Sequence, residues 1–456
     1  MNERDDKFLG TENIWKLMLS LGLPTIVGQV INILYNIVDR IYIGHIPGVG
    51  SYALTGVGIT LPIITLISAF AAIVGSGGAP LAAIWMGKGD QKHAEKILGN
   101  GVFMLCSFSV ILMAVFFLFN APILKMFGAS ENTFPYANRY ITIYLFGTVF
   151  VELYLGLNTF IIAQGNSRYA MTAIIAGAVL NTILDPIFIF AFGMGVQGAA
   201  CATVISQGAS AFLVVSFLKG KRSRIRIQLP YCRPDIRIIK NISSLGISPF
   251  VMQSTESLIT IVLNRSLAYY GGDLYVGSLT ILQSIMQFFM APVSGFTQGV
   301  QPIISYNYGA GKFDRVRTVY RRMMAICTSF LTCSAILLIV FPGPFAGLFT
   351  TDTELIGLLK QVIPIYMAGM LVFGLQVSIQ PVFLALGQAK ISLFIATLRK
   401  IILLIPLALI LPLKFGVMGI YYAEPLADVT AALIATGLFL VNIRKILSSE
   451  ALNKIR

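Results

Sequence analysis

Long apolar runs dominate this chain, and short stretches that carry the charged and turn-forming residues separate them. The runs at 14–43, 54–79 and 391–413 are the clearest, and each exceeds the roughly 20 residues that an α-helix needs to cross a hydrocarbon core. With turns and charge clusters taken as loop signals, the pattern predicts twelve transmembrane helices. Their predicted ranges are 14–43, 53–79, 94–119, 136–163, 169–191, 196–218, 242–268, 277–304, 319–341, 356–385, 391–413 and 416–442.

The composition supports the same class of protein. Hydrophobic residues make up 56% of the 456 residues and charged residues 11%, with a mean hydropathy of +0.82, whereas soluble domains are about 25% charged. We therefore predict an all-α integral membrane protein, which excludes a soluble enzyme, a DNA-binding domain and a secreted disulfide scaffold. The first apolar run is too long for a signal peptide. The five cysteines form no paired motif, so reduced thiols are expected.

The net charge of +14 follows from 33 Lys and Arg against 19 Asp and Glu. With these spans, 27 of the basic residues are assigned to the termini and even-numbered loops, and six to the opposite side. Because Lys and Arg are enriched in cytoplasmic loops, both termini are predicted to be cytoplasmic. The charge then reflects topology, and no nucleic-acid partner is expected. The six are Arg40, Lys125, Arg139, Arg265, Lys360 and Lys414.

The chain contains an internal repeat. The Ser-Leu-Gly run at 20–22 recurs at 244–246, and the Gly-Val-x-Gly run at 195–198 recurs at 416–419. Pro80 and Gly87 recur at 302 and 309, and Gly165 recurs at 387, so the offset stays between 221 and 224. Six helices per half give both halves the same orientation, which predicts two pseudo-symmetric six-helix bundles around a central cleft. The predicted segments are 1–13 (cytoplasmic), 14–218 (first lobe), 219–241 (basic linker), 242–442 (second lobe) and 443–456 (tail).

A polar stripe lies on the first predicted span. Gln29, Asn32, Asn36 and Asp39 follow one another at steps of three, four and three residues. At about 100° per residue they occupy one helix face within an arc of roughly 80°. Ionisable side chains in a membrane helix are costly and usually face a cavity or a partner. The alternative is a structural stripe between helices, with Asp39 paired to Arg40.

A second polar cluster lies at a matching depth. Asn181 and Asp185 share one face of the fifth span, and Asp185 lies about 10 Å inside its outer end. Thr203 of the sixth span reaches a similar depth, and Asp39 is slightly shallower. Two carboxylates, an amide and a hydroxyl could coordinate a hard cation. Equally, repulsion and burial would favour a proton on one carboxyl, so the coupling ion is Na⁺ or H⁺.

The acids of the second half lie deeper. Glu256 and Asp428 are both near the middle of their spans, and Glu424 is one turn from Asp428. Neutral polar groups accompany them, among them Gln283. Midplane carboxylates without a matching intramembrane Lys or Arg would attract a cationic substrate. Hydrogen bonding between helices is the alternative role for these acids.

Several runs resemble the MATE family, the multidrug and toxic compound extrusion transporters. The run Leu-Tyr-Asn-Ile-Val-Asp at 34–39, followed by Ile-Gly at 43–44, is similar to the first-helix signature of that family. Further matches are Ala-Gln-Gly at 163–165, Asn-Thr-Ile-Leu-Asp-Pro at 181–186 and 195–203. The resemblance covers about residues 10–445. It implies twelve helices in two bundles and cation-coupled export of cationic, aromatic or amphiphilic drugs.

The resemblance also implies roles for single residues. Pro24 matches a proline at which the first helix bends. Glu256 is similar to the seventh-helix acid of another branch, whose second site also needs an aspartate in the tenth helix. This chain has only Gln376 and Gln380 in that span. A second site would need Asp428 as the substitute, so the first-lobe cation site is favoured. That site would comprise Asp39, Asn158, Asn181, Asp185 and Thr203.

The prediction is a monomeric secondary antiporter of a bacterial cytoplasmic membrane, with no cofactor besides its coupling ion. Na⁺ or H⁺ would enter as a cationic or amphiphilic drug leaves. No Walker motif indicates ATP-driven transport, and no intramembrane His or Ser/His pair indicates an enzyme acting on lipid. A metabolite exporter of the same fold and a lipid-linked oligosaccharide flippase are the alternatives. The predicted substrate site comprises Gln29, Asn32, Asn36, Glu256, Gln283 and Asp428.

Overall fold

Helices make up almost all of the described chain. The computed structural model describes residues 8–453, and within that range it contains helices, turns and no β-strand. The all-α fold class is therefore confirmed. The first bundle comprises α1 (Ile14–Gly44), α2 (Gly50–Gly87), α3 (Gln91–Met126), α4 (Phe134–Phe146 and Thr148–Ala163), α5 (Ser167–Ala191) and α6 (Val196–Lys219). The second comprises α7 (Ile236–Tyr270), α8 (Asp273–Gly309), α9 (Phe313–Val340), α10 (Thr353–Ala385), α11 (Ala389–Phe415) and α12 (Met418–Ile446).

These twelve helices correspond one to one with the predicted spans. Within residues 8–453, ten are long and apolar enough to cross a membrane, and α4 becomes an eleventh if its two parts, bent by 59° at Gly147, form one span. α7 has 35 residues but is interrupted by polar groups such as Gln253, Glu256 and Arg265. Several helices are longer than predicted. α2 continues to Gly87 instead of 79, and α7 begins at Ile236 instead of 242. Apolarity locates the part in hydrocarbon, whereas backbone hydrogen bonding continues beyond it.

Side-chain caps fix where several helices begin. The Asn13 Oδ1 accepts hydrogen bonds from the backbone N–H of Trp15 (2.9 Å) and Lys16 (3.4 Å) at the start of α1. Asp90 and Asp235 cap α3 and α7 in the same way. Each oxygen satisfies backbone donors that have no partner in the first turn. The starts of α1, α3 and α7 lie on one side of the protein, which we call the terminal side. We call the opposite side the distal side.

Glycines bring the two bundles into contact on the terminal side. A Cβ built on Gly246 of α7 would lie 2.0 Å from a backbone oxygen of α2, and one on Gly77 of α2 would lie 2.3 Å from a backbone oxygen of α7. A Cβ on Gly299 of α8 would lie 2.5 Å from a backbone oxygen of α1, beside Gly22. Gly22 and Gly246 are 224 positions apart, and Gly77 and Gly299 are 222 apart. The two crossings are thus pseudo-symmetric copies.

Candidate functional site

The predicted polar cluster of the first bundle forms where α1, α5 and α6 meet. The carboxyl groups of Asp39 and Asp185 are close enough to interact with each other. The Asn181 Nδ2 is 3.2 Å from the Asp185 Oδ1 and 3.5 Å from the Thr203 Oγ1. Asn181 and Asp185 share a face because they are four residues apart on α5. The structure thus brings these four residues together.

Three oxygens in this cluster are buried without a hydrogen-bond partner. They are the Asp39 Oδ1, the Asn181 Oδ1 and the Asp185 Oδ2. Such groups are costly in a membrane interior unless something satisfies them. A hard cation coordinated by oxygen fits this donor set. A proton shared between the two carboxyls fits it equally well. No group of three or more His, Cys, Asp or Glu that could hold a metal occurs in residues 8–453.

Aromatic and amide side chains that the sequence analysis missed enclose the cluster. Tyr140 of α4 lies beside Asp39 and Thr203, and Tyr35 lies close to Asp39 and Gln207. A small cavity of about 20 Å³ extends from the cluster between α1, α4, α5 and α6. Tyr35 falls inside the first-helix signature, so the sequence did carry a signal for it. Tyr140 and Gln207 become site residues only through the packing of separate helices.

The rest of the α1 stripe does not join the cluster. The Gln29 Nε2 donates a hydrogen bond to the Gln298 Oε1 of α8 at 3.2 Å, so Gln29 links the two bundles. Asn36 is exposed, and its side chain bonds to the Asn32 carbonyl one turn earlier on the same helix. Arg40 is exposed, and its charge interacts with the neighbouring Asp39. The predicted single stripe therefore divides into separate environments.

Two residues implied by the family resemblance have different surroundings. Asn158 is buried on α4 with its Oδ1 unpartnered, but it lies outside the hydrogen bonds that join Asn181 to Asp185 and Thr203. Pro24 is buried within α1, which is continuous from Ile14 to Gly44. A proline removes one helical hydrogen bond, so this position is suited to bending.

The second bundle corrects a prediction. Its acids were expected to lack an intramembrane basic partner, but the Arg399 Nε is 2.5 Å from the Asp428 Oδ1, and the Arg399 Nη2 is 2.7 Å from the Glu424 Oε1. Lys400 forms an ion pair with Glu256. The 27 basic residues assigned to the termini and even-numbered loops included Arg399 and Lys400, although both fall inside the predicted span 391–413. They lie in α11, so that count was too high by two.

Local helix geometry directs both bases inward. Residues 398–404 form a π-helical segment within α11, and such segments are frequent at functional sites. The Arg399 guanidinium also lies 4.3 Å from the centre of the Phe373 ring. The Lys400 Nζ donates to the Met252 carbonyl oxygen at 2.9 Å. Buried charges persist in a membrane protein when they are paired in this way.

Exposure separates the ion pairs of Arg399 from the ion pair of Lys400. The Asp428 side chain is 1% exposed and that of Arg399 is 11% exposed, whereas the Glu256 side chain is 60% exposed. Asp428 is therefore neutralised inside the bundle, and Glu256 faces accessible space. Gln283 is half-buried on α8 and takes no part in the network. Gln376 and Gln380 are both buried.

Together, two pseudo-symmetric helical bundles with buried polar groups define a membrane transport protein. The MatE family model matches residues 24–187 and 249–410, one match in each bundle. The chain belongs to the MatE family, and it is a multi-pass membrane transporter and not an enzyme.

Curated relatives span nearly the whole chain. The multidrug export protein MepA of Staphylococcus aureus strain MSSA476 is 27% identical over 423 residues, covering 92% of each chain. MepA of Staphylococcus haemolyticus strain JCSC1435 is 25% identical over 93% of this chain and 92% of its own length.

Solved structures share the fold. A structure described as the outward-facing conformation of a multidrug resistance MATE family transporter has a TM-score of 0.90 at 23% identity, over 100% of both chains. A transporter from Pyrococcus furiosus, described as having a binding pocket of reverse polarity, gives the same TM-score, identity and coverage. These likenesses confirm the predicted fold.

Proposed function

We propose that this protein is a secondary antiporter that exports cationic or amphiphilic drugs in exchange for Na⁺ or H⁺. The observation that carries the proposal is the buried Asp39/Asp185 pair, in which the Asp39 Oδ1 and the Asp185 Oδ2 have no hydrogen-bond partner. The multidrug export function named for both MepA relatives supports the choice of cargo. The protein would act as a monomer, since one chain supplies both bundles.

The proposed coupling site comprises Asp39, Asn181, Asp185 and Thr203, with Asn158 as an adjacent polar group. Na⁺ would take its ligands from the two carboxylates, the Asn181 carbonyl oxygen and the Thr203 hydroxyl. A proton would instead bridge the two carboxyls. Either ion drives a conformational change only if it binds the two conformations with different affinity. Pro24 gives α1 a point at which it could bend as the site fills.

The proposed orientation places both termini in the cytoplasm of a bacterial cell. The excess of basic residues at the termini and in the even-numbered loops supports it. With that orientation the glycine crossings at Gly77 and Gly246 close the cytoplasmic side. The cleft between the bundles would then open outward, the direction in which a coupling ion enters.

The proposed drug site lies on the second bundle around Glu256. Its exposed carboxylate is held by Lys400, and a cationic drug would replace that ammonium group. Asn32 and Gln283 would contribute polar contacts, and Gln29 and Asn36 would flank them on α1. Asp428 is left out of this proposed site because Arg399 already pairs with it.

The charges of this network disfavour an anionic cargo, such as the one a flippase would carry. Arg399 and Lys400 supply two positive charges, but Glu256, Glu424 and Asp428 supply three negative charges. The ionised network has a net charge of −1, which favours a cation. A flippase would need the opposite balance to hold a pyrophosphate.

Ethidium transport in proteoliposomes tests the proposal, first under an imposed Na⁺ gradient and then under an imposed pH gradient. Transport under one gradient alone would identify the coupling ion. Asp39→Asn should abolish that transport while expression is retained, and Asp314→Asn, at an exposed acid of α9, is the control. Normal transport by Asp39→Asn would contradict the proposed coupling site.

A further inference from the structure

Glu152 of α4 is a buried acid that the coupling site does not use. Its side chain is 0% exposed, and both carboxylate oxygens lack a hydrogen-bond partner. Thr148, one turn earlier, is also 0% exposed and has an unpartnered Oγ1. Glu152 was not predicted as a site residue, although its position as an acid inside the predicted span 136–163 indicated a functional role.

Among residues 8–453, no base is placed to neutralise Glu152. It lies 11 residues before the end of α4 at Ala163, or about 16 Å along the helix, near the middle of the hydrocarbon core. α2, α3, α5, α6 and α8 pack against this part of α4. α2 carries no charged residue. The charged or titratable side chains on the other four helices are Lys92, His93, Glu95, Lys96 and Lys125 of α3, Arg168 and Asp185 of α5, Lys219 of α6 and Asp273 of α8.

The positions of those charged groups exclude an ion pair. All but Asp185 stand within five residues of a helix end. Arg139, the other charged residue of α4, lies near the distal end on the far side of the bend. The titratable side chain placed near Glu152 is Tyr144, a neutral phenol. An ionised carboxylate in this position would have neither a counter-charge nor a strong donor, which is prohibitively costly in low dielectric.

A bound proton removes this difficulty. It neutralises the carboxyl and turns one oxygen into a donor. The Thr148 Oγ1, which is also unpartnered, is the hydroxyl one turn earlier on the same helix. Side chains lean toward the start of their helix, so the Glu152 carboxyl is directed toward Thr148 and the 59° bend at Gly147. Tyr144 and Tyr140, whose rings stack at 6.3 Å, continue this polar line toward Asp39.

We propose that Glu152 is a second proton-binding site of the first bundle, which holds its proton while α4 is bent at Gly147 and releases it when α4 moves. Release leaves a carboxylate on Glu152 and delivers H⁺ to the water that reaches it, so only the O–H bond changes. A proton that binds the bent form more tightly than the moved form biases the equilibrium between them. Proton occupancy of Glu152 does not depend on the proposed antiporter function, whereas the release step rests on it.

Infrared difference spectroscopy of the full-length protein in lipid tests the occupancy. Glu152→Gln is the isosteric neutral variant, and subtraction of its spectrum should reveal the C=O stretching band of one protonated carboxylic acid at neutral pH. The matched control is Glu95→Gln. Glu95 is also buried but accepts hydrogen bonds from the Arg226 backbone N–H and the Gln228 Nε2, so its removal should take away a carboxylate band. Glu152→Met should lose the same acid band.

Transport tests the release step separately. Ethidium transport driven by a pH gradient should fall about tenfold in Glu152→Gln, within the usual range of coupling free energies, with ethidium binding unchanged. Glu152→Asp should recover part of it because a carboxyl is restored. An unchanged acid band in both Glu152→Gln and Glu152→Met overturns the occupancy, and full pH-driven transport by Glu152→Gln overturns the release step. If the wild type moves no ethidium under either gradient, the antiporter proposal and the release step fail together, and the spectra still decide the occupancy.

Discussion

The two bundles share a backbone plan but treat their buried acids in opposite ways. In the first bundle Asp39, Asp185 and Glu152 have buried carboxylate oxygens without a partner. In the second, Glu424 and Asp428 are both bonded to Arg399, although the Asp428 Oδ2 is also buried without a partner. A buried acid without a base must take up a cation or a proton, whereas a paired acid is already neutralised. The repeat therefore preserves architecture, and a few side chains assign ion exchange to one half.

The largest expected effect tests that assignment directly. Asp185→Asn should reduce gradient-driven ethidium transport by about 100-fold or more, at the upper end of coupling between sites. Asp428→Asn, the corresponding change in the second bundle, should keep ion coupling because Asp428 is already neutralised by Arg399. Proteoliposome transport under the effective gradient is the measurement. If Asp428→Asn lost coupling as completely as Asp185→Asn, the distinction between the bundles would be wrong.

The next effect is on stability and belongs to the second bundle. Arg399→Met leaves Glu424 and Asp428 buried without their partner, so the free energy of unfolding should fall by about 3–5 kcal/mol. Neutralising the acids as well, in Arg399→Met/Glu424→Gln/Asp428→Asn, should recover most of that loss. Thermal unfolding in detergent measures both variants. A triple variant as unstable as Arg399→Met would show that the acids do not carry the penalty.

A smaller effect concerns the amide of the coupling site. Asn181→Ala removes an unpartnered carbonyl oxygen and the hydrogen bonds to Asp185 and Thr203. The affinity for the coupling ion should fall about tenfold, equivalent to roughly 1.4 kcal/mol. Ion titration of transport provides the value. Gln376→Ala, which also removes a buried unpartnered amide oxygen, is the control in the second bundle. Equal losses in the two variants would argue against a site restricted to the first bundle.

The smallest effect distinguishes the exposed ion pair from the buried one. Lys400→Gln frees the exposed Glu256 carboxylate, so ethidium affinity should rise about threefold, within the range measured for partly exposed ion pairs. Glu256→Gln should lower the affinity instead. Equilibrium binding of ethidium to the purified protein measures the affinity of both variants. A fall in affinity on Lys400→Gln would mean that Lys400 helps to bind the drug.

The sequence predicted the fold more completely than the site. Apolar runs gave all twelve helices, and a near-constant repeat offset gave two parallel bundles, because both depend on patterns that are local or periodic along the chain. In the site, Asp39, Asn181, Asp185 and Thr203 were predicted to meet, and they do. The failure at Arg399 and Lys400 has a physical cause. Sequence position alone did not reveal that a π-helical segment turns both bases inward toward acids on α7 and α12.

What the sequence determined by itself was the membrane class, the number of helices and the two-fold repeat, since hydrophobic burial in a bilayer is dictated by composition and spacing. What the tertiary structure decided was which acids are paired. In the sequence, Asp428 and Glu152 are both acids within an apolar span. In the structure, Asp428 pairs with Arg399 of another helix, whereas Glu152 has no basic partner among residues 8–453. Charge pairing depends on distances of a few ångströms between helices far apart in sequence, and those distances exist only after the bundles pack.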